Sequence, residues 1–257
     1  MLQAPARQFR IIGALMRREM STRFGREGLG FAWVIGEPLL FCFGVLLLWS
    51  AIKPEYEHGI RIGPFIMTGY MCLLLYRHMI SFSVGALSGN VGLLHHRQIR
   101  TLHIFLARNL LEFLGGTAAF IIVYIVLLAL GQVELPHNWL LLYAGWFTTA
   151  WVGFGIGLAF AGLSSRFDIM ERLVPVLTYS MIPISGAFFM LHWIPQQFRE
   201  VLLWFPFPHG IEMVRDGVFG HIAPTYYNAS YAWFMGAVMQ VFGLLLLAGA
   251  KNRVDLE

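Results

Sequence analysis

From Leu29 to Ala51 the chain is apolar except for Glu37, and a run of that length matches the roughly 20 residues that cross a bilayer as a helix. Further apolar runs cover about 63–88, 104–130, 139–163, 173–192 and 229–250, so the pattern predicts six spans. Short polar stretches separate them. These are KPEYEHGIR from Lys53 to Arg61, GNVGLLHHRQIRTLH from Gly89 to His103, GQVELPHN, and SSRFDIMER. The interval 193–224 differs. It holds two segments of ten to twelve residues, too short to cross, broken by Pro206 and Pro208. They read as two re-entrant half-helices dipping into the outer leaflet, where broken backbone is tolerated only against protein or a water-filled cavity. Pro195 suits a first helical turn, and Phe198, Val201, Leu202 and Phe205 give the first piece an apolar face.

Ahead of the first span, residues 7–24 read as an amphipathic helix. Phe9, Ile12, Met16, Met20 and Phe24 recur at helical steps, with Arg10, Arg17 and Arg18 elsewhere on the wheel. Such a helix lies along the membrane surface rather than across it. Gly25, Gly28 and Gly30 join it to the first span.

Charge sets the orientation. With both termini inside, the inner segments hold 12 basic residues: Arg7, Arg10, Arg17, Arg18, Arg23, Arg26, Arg97, Arg100, Arg166, Arg172, Lys251 and Arg253. The outer segments hold only Lys53, Arg61, Arg199 and Arg215, a clear positive-inside bias. Arg77 and Arg108 fall within spans. Composition agrees: 58% of residues are hydrophobic and 12% charged, which a soluble chain of 257 residues does not show. The expected fold is an all-α integral membrane protein, one transmembrane domain over 1–257. Basic residues at helix ends follow from topology, so no nucleic-acid partner is implied. The start MLQAPARQFR lacks an apolar h-region, so no cleavable signal peptide is expected.

Chemistry is sparse. There is no GxSxG, HExxH or GxxxxGK[ST], and no paired carboxylates lie within one span. Catalysis is not expected of this chain, and energy for uphill transport would have to come from a separate subunit. Cys42 and Cys72 sit in apolar runs without CxxC spacing and read as packing residues. His95 and His96 are adjacent, so they do not share a helix face and read as polar loop residues rather than metal ligands. Arg77 admits two readings. It pairs with a carboxylate of another span or subunit, or it lines the path of an anionic solute. Trp33, Trp49, Trp139, Trp146 and Trp193 suit membrane interfaces, whereas Phe41, Phe43, Tyr70, Tyr76 and Phe82 lie deeper. Those rings suit either helix packing or contact with the C–H faces of sugars.

The run Arg23-Phe24-Gly25, Leu29-Gly30, Trp33 and Pro38-Leu39 resembles the entry to the first span of type-2 ABC exporter permeases. Phe24 stands for the usual Tyr there, and Glu27 for a small residue. The stretch Asn90-Val91-Gly92-Leu93-Leu94, with Arg97-Gln98-Ile99-Arg100 and then Arg108, is similar to the first inner loop of the capsule polysaccharide branch. Arg166-Phe167-Asp168-Ile169 resembles its RxRDI loop. Phe207-Pro208-His209 with Glu212 and Arg215 resembles its NP-x-x-x-x-x-E-x-x-R segment, with Phe in place of Asn.

That resemblance implies a homodimer forming one pore over a cytoplasmic ABC ATPase dimer that binds ATP and Mg, this chain binding no cofactor itself. It implies a periplasmic co-polymerase partner, membrane lipids around the pore, and a lipid-linked capsular polysaccharide as cargo. The sister exporters of O-antigen, teichoic acid or small drug-like lipids are the alternative. The expected coupling residues are Arg17 and Arg18 with Asn90, Leu93, Leu94, His95, His96, Arg97 and Arg100, on a coupling helix over 89–103. The expected substrate channel is lined by Arg77, Tyr70, Tyr76, Phe82, Trp33 and Phe41. The expected outer gate comprises Phe198, Phe205, Pro208, Glu212 and Arg215.

Overall fold

The computed structural model describes residues 3–24, 30–86, 88–94, 99–167 and 169–254. The order is α1 (Gln3–Phe24), α2 (Gly30–Ile52), β1 (Tyr56–Glu57), β2 (Ile60–Arg61), α3 (Ile62–Ser83), α4 (Val91–Leu94), α5 (Thr101–Ala129), α6 (Trp139–Ser164), α7 (Ile169–Ser180), α8 (Gln196–Leu202), α9 (Phe207–Phe219) and α10 (Ala229–Val254). Among the described residues, five helices are long and apolar enough to cross a membrane: α2, α3, α5, α6 and α10. β1 and β2 pair antiparallel with Tyr56 opposite Arg61 and Glu57 opposite Ile60. His58 and Gly59 have φ of 51° and 84°, the mirror-image turn that a two-residue hairpin requires.

α3 and α6 form the centre. α3 is buried along most of its length, with Phe65, Ile66, Met67, Cys72, Leu73, Tyr76 and Ile80 in the core. It packs on α2, α5 and α6, while α6 also meets α9 and α10. Small residues let α6 serve so many neighbours, because backbones without side chains between them approach closely. A Cβ on Gly157 would lie 2.8 Å from the Met79 carbonyl of α3. One on Gly155 would lie 2.6 Å from the Gly236 carbonyl of α10, so the glycines serve opposite faces.

Two expectations need correction. The fifth apolar run, expected to span 173–192, is helical only over Ile169–Ser180. Beyond it come a 3-10 turn at Ile182–Ile184, Gly186 at φ 78°, and a second 3-10 turn at Leu191–Trp193. Pro183 has no N–H to continue the ladder, and Gly186 adopts the left-handed region, so hydropathy is maintained where helicity fails. The coupling helix expected over 89–103 is not continuous either. α4 ends at Leu94, residues 95–98 lie outside the described residues, and Thr101 already opens α5.

α1 packs against α5 and α2. Its most buried residues are Leu15 and Glu19, flanked by the half-buried Ile12, Met16 and Met20 of the expected stripe, whereas Phe9 is 75% exposed. The chain has two distinct ends. At one lie α1, α4 and the α6–α7 connection. At the other lie the hairpin, the 130–138 connection and the start of α10, where the Asn138 N–H donates to the Gly217 carbonyl at 2.9 Å.

Candidate functional site

At the α1 end, polar side chains tie the surface helix to the bundle. Arg18 Nη1 donates to Asn90 Oδ1 at 2.6 Å, and Asn90 Nδ2 donates to the Ala86 carbonyl at 3.0 Å. Asn90 is buried, so it fixes the α3–α4 connection and presents its one exposed-side acceptor to α1. The next residue of α1, Glu19, lies 2.9 Å from Arg108 Nε on α5. Arg108 Nη1 also donates to the Phe82 carbonyl at the end of α3, at 3.2 Å. Asn109 Nδ2 donates to Ser83 Oγ at 3.0 Å beside it. Of the expected coupling residues, Arg18 and Asn90 thus meet directly. Arg17 and Arg100 are exposed and Leu93 is half-buried. The side chains of Leu94, His95, His96 and Arg97 lie outside the described residues.

Deeper in the bundle lies a cluster that single-span reading missed. His78 on α3 has Nδ1 3.4 Å from Glu112 of α5 and Nε2 3.9 Å from Glu37 of α2. The two carboxylates belong to different helices, which is why a search for pairs within one span does not find them. Their signal was the rarity of ionisable side chains in apolar runs. Next to it, the Arg77 guanidinium lies 4.3 Å above the Tyr179 ring of α7, a cation–π contact. Among the described residues no carboxylate lies within ion-pair distance of Arg77.

The expected channel residues do not share one surface within the chain. Tyr76 is 1% exposed and stacks on Phe207 at 5.6 Å, and Tyr70 is buried beside Phe188 at 6.0 Å. Phe82 packs edge-on against His78 at 5.5 Å. Trp33 and Phe41 lie on the exposed side of α2, together with Leu40, Leu47 and Leu48.

At the hairpin end the expected gate residues divide in two. Phe198 is exposed on α8, and Phe205 lies at the rim, stacked on Phe207 at 6.2 Å. Pro208, Glu212 and Arg215 are interior. Pro208 falls in the first turn of α9, where its missing N–H costs no hydrogen bond. Arg215 is 0% exposed and donates to the carbonyls of Gly186 (2.7 Å), Phe189 (2.7 Å) and Ala187 (2.8 Å), with Phe65 stacked 4.6 Å away. Glu212 Oε1 lies 3.5 Å from Arg215 Nη1. Glu212 also accepts from the backbone N–H groups of Tyr226 (3.1 Å) and Leu191 (3.4 Å). One buried pair therefore satisfies the irregular backbone on both sides of α9. Charged partners are the strongest available for such groups.

His209, one turn before Glu212, accepts the Asn228 N–H at Nδ1 (2.9 Å), so its Nε2 carries the proton and donates to the Leu203 carbonyl at 3.0 Å. The bond accepted at Nδ1 requires the neutral ring, and burial lowers its pKa, partly offset by the Leu203 bond, which a protonated ring can also make. Between the folded value and the ordinary value of about 6.5, the unfolded chain holds more protons than the folded one. The stabilisation is therefore complete above about 6.5 and is lost as pH falls through the folded value. Thermal unfolding in detergent from about pH 7.5 to about pH 5 should show a steeper acid-side fall in midpoint for wild type than for His209→Gln. Equal slopes would remove this histidine from the acid response.

A sequence profile of the family described as ABC-2 type transporter matches residues 10–219. The chain is 37% identical over 248 residues to the capsule polysaccharide export inner-membrane protein CtrC of Neisseria meningitidis serogroup B, covering 96% of this chain and 94% of that protein. It is 34% identical over 253 residues to the capsule polysaccharide export inner-membrane protein BexB of Haemophilus influenzae, covering 98% and 96%. It is 30% identical over 235 residues to the polysialic acid transport protein KpsM of Escherichia coli, covering 91% of each.

Proposed function

The chain belongs to the ABC-2 type transporter family, and on that premise we propose that it is the membrane-spanning subunit of an ATP-driven exporter of capsular polysaccharide. The near full-length similarity to capsule export inner-membrane proteins carries this reading. The α1 end faces the cytoplasm, where the basic residues concentrate. A partner ABC ATPase, binding ATP and Mg, grips α1 and the α3–α5 connection, since this chain has no phosphate-binding loop of its own. The Arg18–Asn90 and Glu19–Arg108 contacts carry its movement to the ends of α3 and α5.

The chain crosses six times, and the fifth crossing is not a plain helix. α6 ends at the α1 end while α10 begins at the hairpin end, so residues 165–228 must return across the bilayer. α7 contributes 12 residues, about 18 Å at 1.5 Å per residue. The segment clamped by Arg215 completes the distance, which is the condition under which irregular backbone is tolerated at depth. α8 and α9 are then short elements on the outer side. Both termini are cytoplasmic.

Two copies form the pore. The exposed apolar sides of α2 and α7 need cover, and Trp33, Phe41, Tyr179 and Arg77 lie on or beside them. Arg77 then meets an acidic glycan attached to a lipid, and a periplasmic co-polymerase receives the chain. In a strain lacking this gene, wild type should restore surface capsule only together with a hydrolysis-competent ATPase. At matched protein level, Arg77→Ala should lower surface capsule roughly tenfold, the size of one desolvated charge contact of about 1.4 kcal/mol. Arg77→Lys should recover part of it. Wild-type capsule from the alanine variant would take Arg77 out of the path. Co-purification of a different cargo, such as an O-antigen lipid, would favour a sister exporter.

A further inference from the structure

At the hairpin end, α8, the start of α9 and the start of α10 enclose an open cleft of about 720 Å³. That volume falls in the range of roughly 300–1,000 Å³ usual for ligand sites. Its wall includes Trp204, Tyr226, Tyr231, Glu200 and Asn228. None of these belongs to the channel, gate or coupling residues above.

Trp204 is 78% exposed, and its indole has neither a ring partner nor a hydrogen-bond partner among the described residues. Its backbone is fixed, because Tyr231 Oη donates to the Trp204 carbonyl at 2.5 Å. A large flat apolar ring is thus held out at the mouth of a concave site with both polar capacity and an open face. Tyr231 packs edge-on against His209 at 5.4 Å, and Tyr227 is tethered through its hydroxyl, which donates to Asp216 at 2.8 Å. Tyr226 has the Arg199 guanidinium 3.9 Å from its centroid and His192 stacked at 6.4 Å. It therefore holds a cation at the rim rather than offering a platform. Asn228 uses Oδ1 to accept the Tyr231 N–H, and its Nδ2 has no partner among the described residues. Glu200 accepts one bond from Gln196 and has a second oxygen to offer. An exposed indole, a carboxylate and an amide together match a pyranose. The sugar's axial C–H face lies on the ring while its hydroxyls need both donors and acceptors. The cation beside them matches a carboxylate or phosphate on the same glycan.

We infer that this cleft is a subsite for a short oligosaccharide stretch of the exported chain as it leaves the membrane. Trp204 is the stacking platform, Glu200 and Asn228 bind hydroxyls, and Arg199 meets the acidic group. The inference rests on the polysaccharide-export reading. A belt tryptophan anchoring the protein in lipid headgroups would show the same exposure but would need no cleft, amide or carboxylate around it.

The test uses the full transporter complex in lipid nanodiscs, with size-fractionated oligosaccharides released from the host's own capsule as probe. Wild type should bind them, and Trp204→Ala should weaken binding about tenfold, the scale of losing one aromatic stack. Trp204→Phe should retain most of the affinity, and Arg199→Gln should weaken binding of acidic fragments with a reduced salt dependence. The alanine variant keeps the carbonyl that Tyr231 uses, so unaltered yield and unfolding midpoint are expected. The same variants are compared for surface capsule in the deletion strain. If wild type restores capsule but Trp204→Ala binds and exports equally well, the subsite is overturned and the indole is a lipid anchor. If wild type neither binds the fragments nor restores capsule, the export reading falls, and the subsite with it.

Discussion

Arg215→Met is expected to destabilise the protein by about 3–5 kcal/mol, the cost of breaking a buried pair by removing one partner. The methionine fills similar space but leaves the Gly186, Ala187 and Phe189 carbonyls without a donor and Glu212 without its cation. Gly186, Ala187 and Glu212 are buried, so they cannot recover their bonds from water on the spot, while Phe189 is only half-buried. Arg215→Lys keeps a charge beside Glu212 but lacks the planar fork that reaches several carbonyls at once, and should fall between the two. Unfolding of detergent-purified protein, followed by tryptophan fluorescence, measures the loss. A methionine variant as stable as wild type would show that the 186–189 segment is held by something else.

Gly157→Leu is the second large effect. The added Cβ alone would sit 2.7 Å from Ser83 Oγ and 2.8 Å from the Met79 carbonyl, before any longer side chain is considered. α3 and α6 must separate, and Ser83 must release Asn109. Overpacking of this kind costs about 1–3 kcal/mol, and the broken bond adds to it. Gly13→Ala is the control, since nothing lies within 4 Å of a Cβ there and alanine favours the helix. The same unfolding experiment should find Gly13→Ala at or above wild type and Gly157→Leu well below it. Near-equal midpoints for the two would mean that the α3–α6 contact yields easily.

Hydropathy made most of the architecture legible. The expected first, fourth and last spans, about 30–52, 139–163 and 229–250, correspond to Gly30–Ile52, Trp139–Ser164 and Ala229–Val254. Within 193–224 the structure has two short helices, Gln196–Leu202 and Phe207–Phe219, whose starts Pro195, Pro206 and Pro208 mark as position-specific signals. The fifth run misled for the opposite reason. Its residues are apolar enough for a span, yet Pro183 and a left-handed Gly186 interrupt it, and apolarity carries no information about hydrogen-bond continuity.

The site was less legible than the fold. Facing cannot be read where a helix is apolar all round, so Tyr70 and Tyr76 could not be told apart from Trp33 and Phe41 by pattern. The first two lie inside and the last two outside. Arg215 was expected at the outer gate, and its burial could not be read because its partners are backbone carbonyls 26–29 positions earlier, which no side-chain pattern reveals. The Glu37–His78–Glu112 grouping escaped for a related reason, as it exists only once three helices assemble.

The glycines of α6 also constrain the order of assembly. α10 is synthesised well after α6, yet its Gly236 and Gly243 backbones seat against α6 near Gly155, Leu158 and Ala159. Until residue 229 has been translated, that groove faces lipid or another chain. A ribosome that stalls in the outer loop would therefore leave an inserted fragment with an open, shape-matched slot. Such a fragment is a natural target for membrane quality control, and a natural acceptor for α10 supplied as a separate polypeptide.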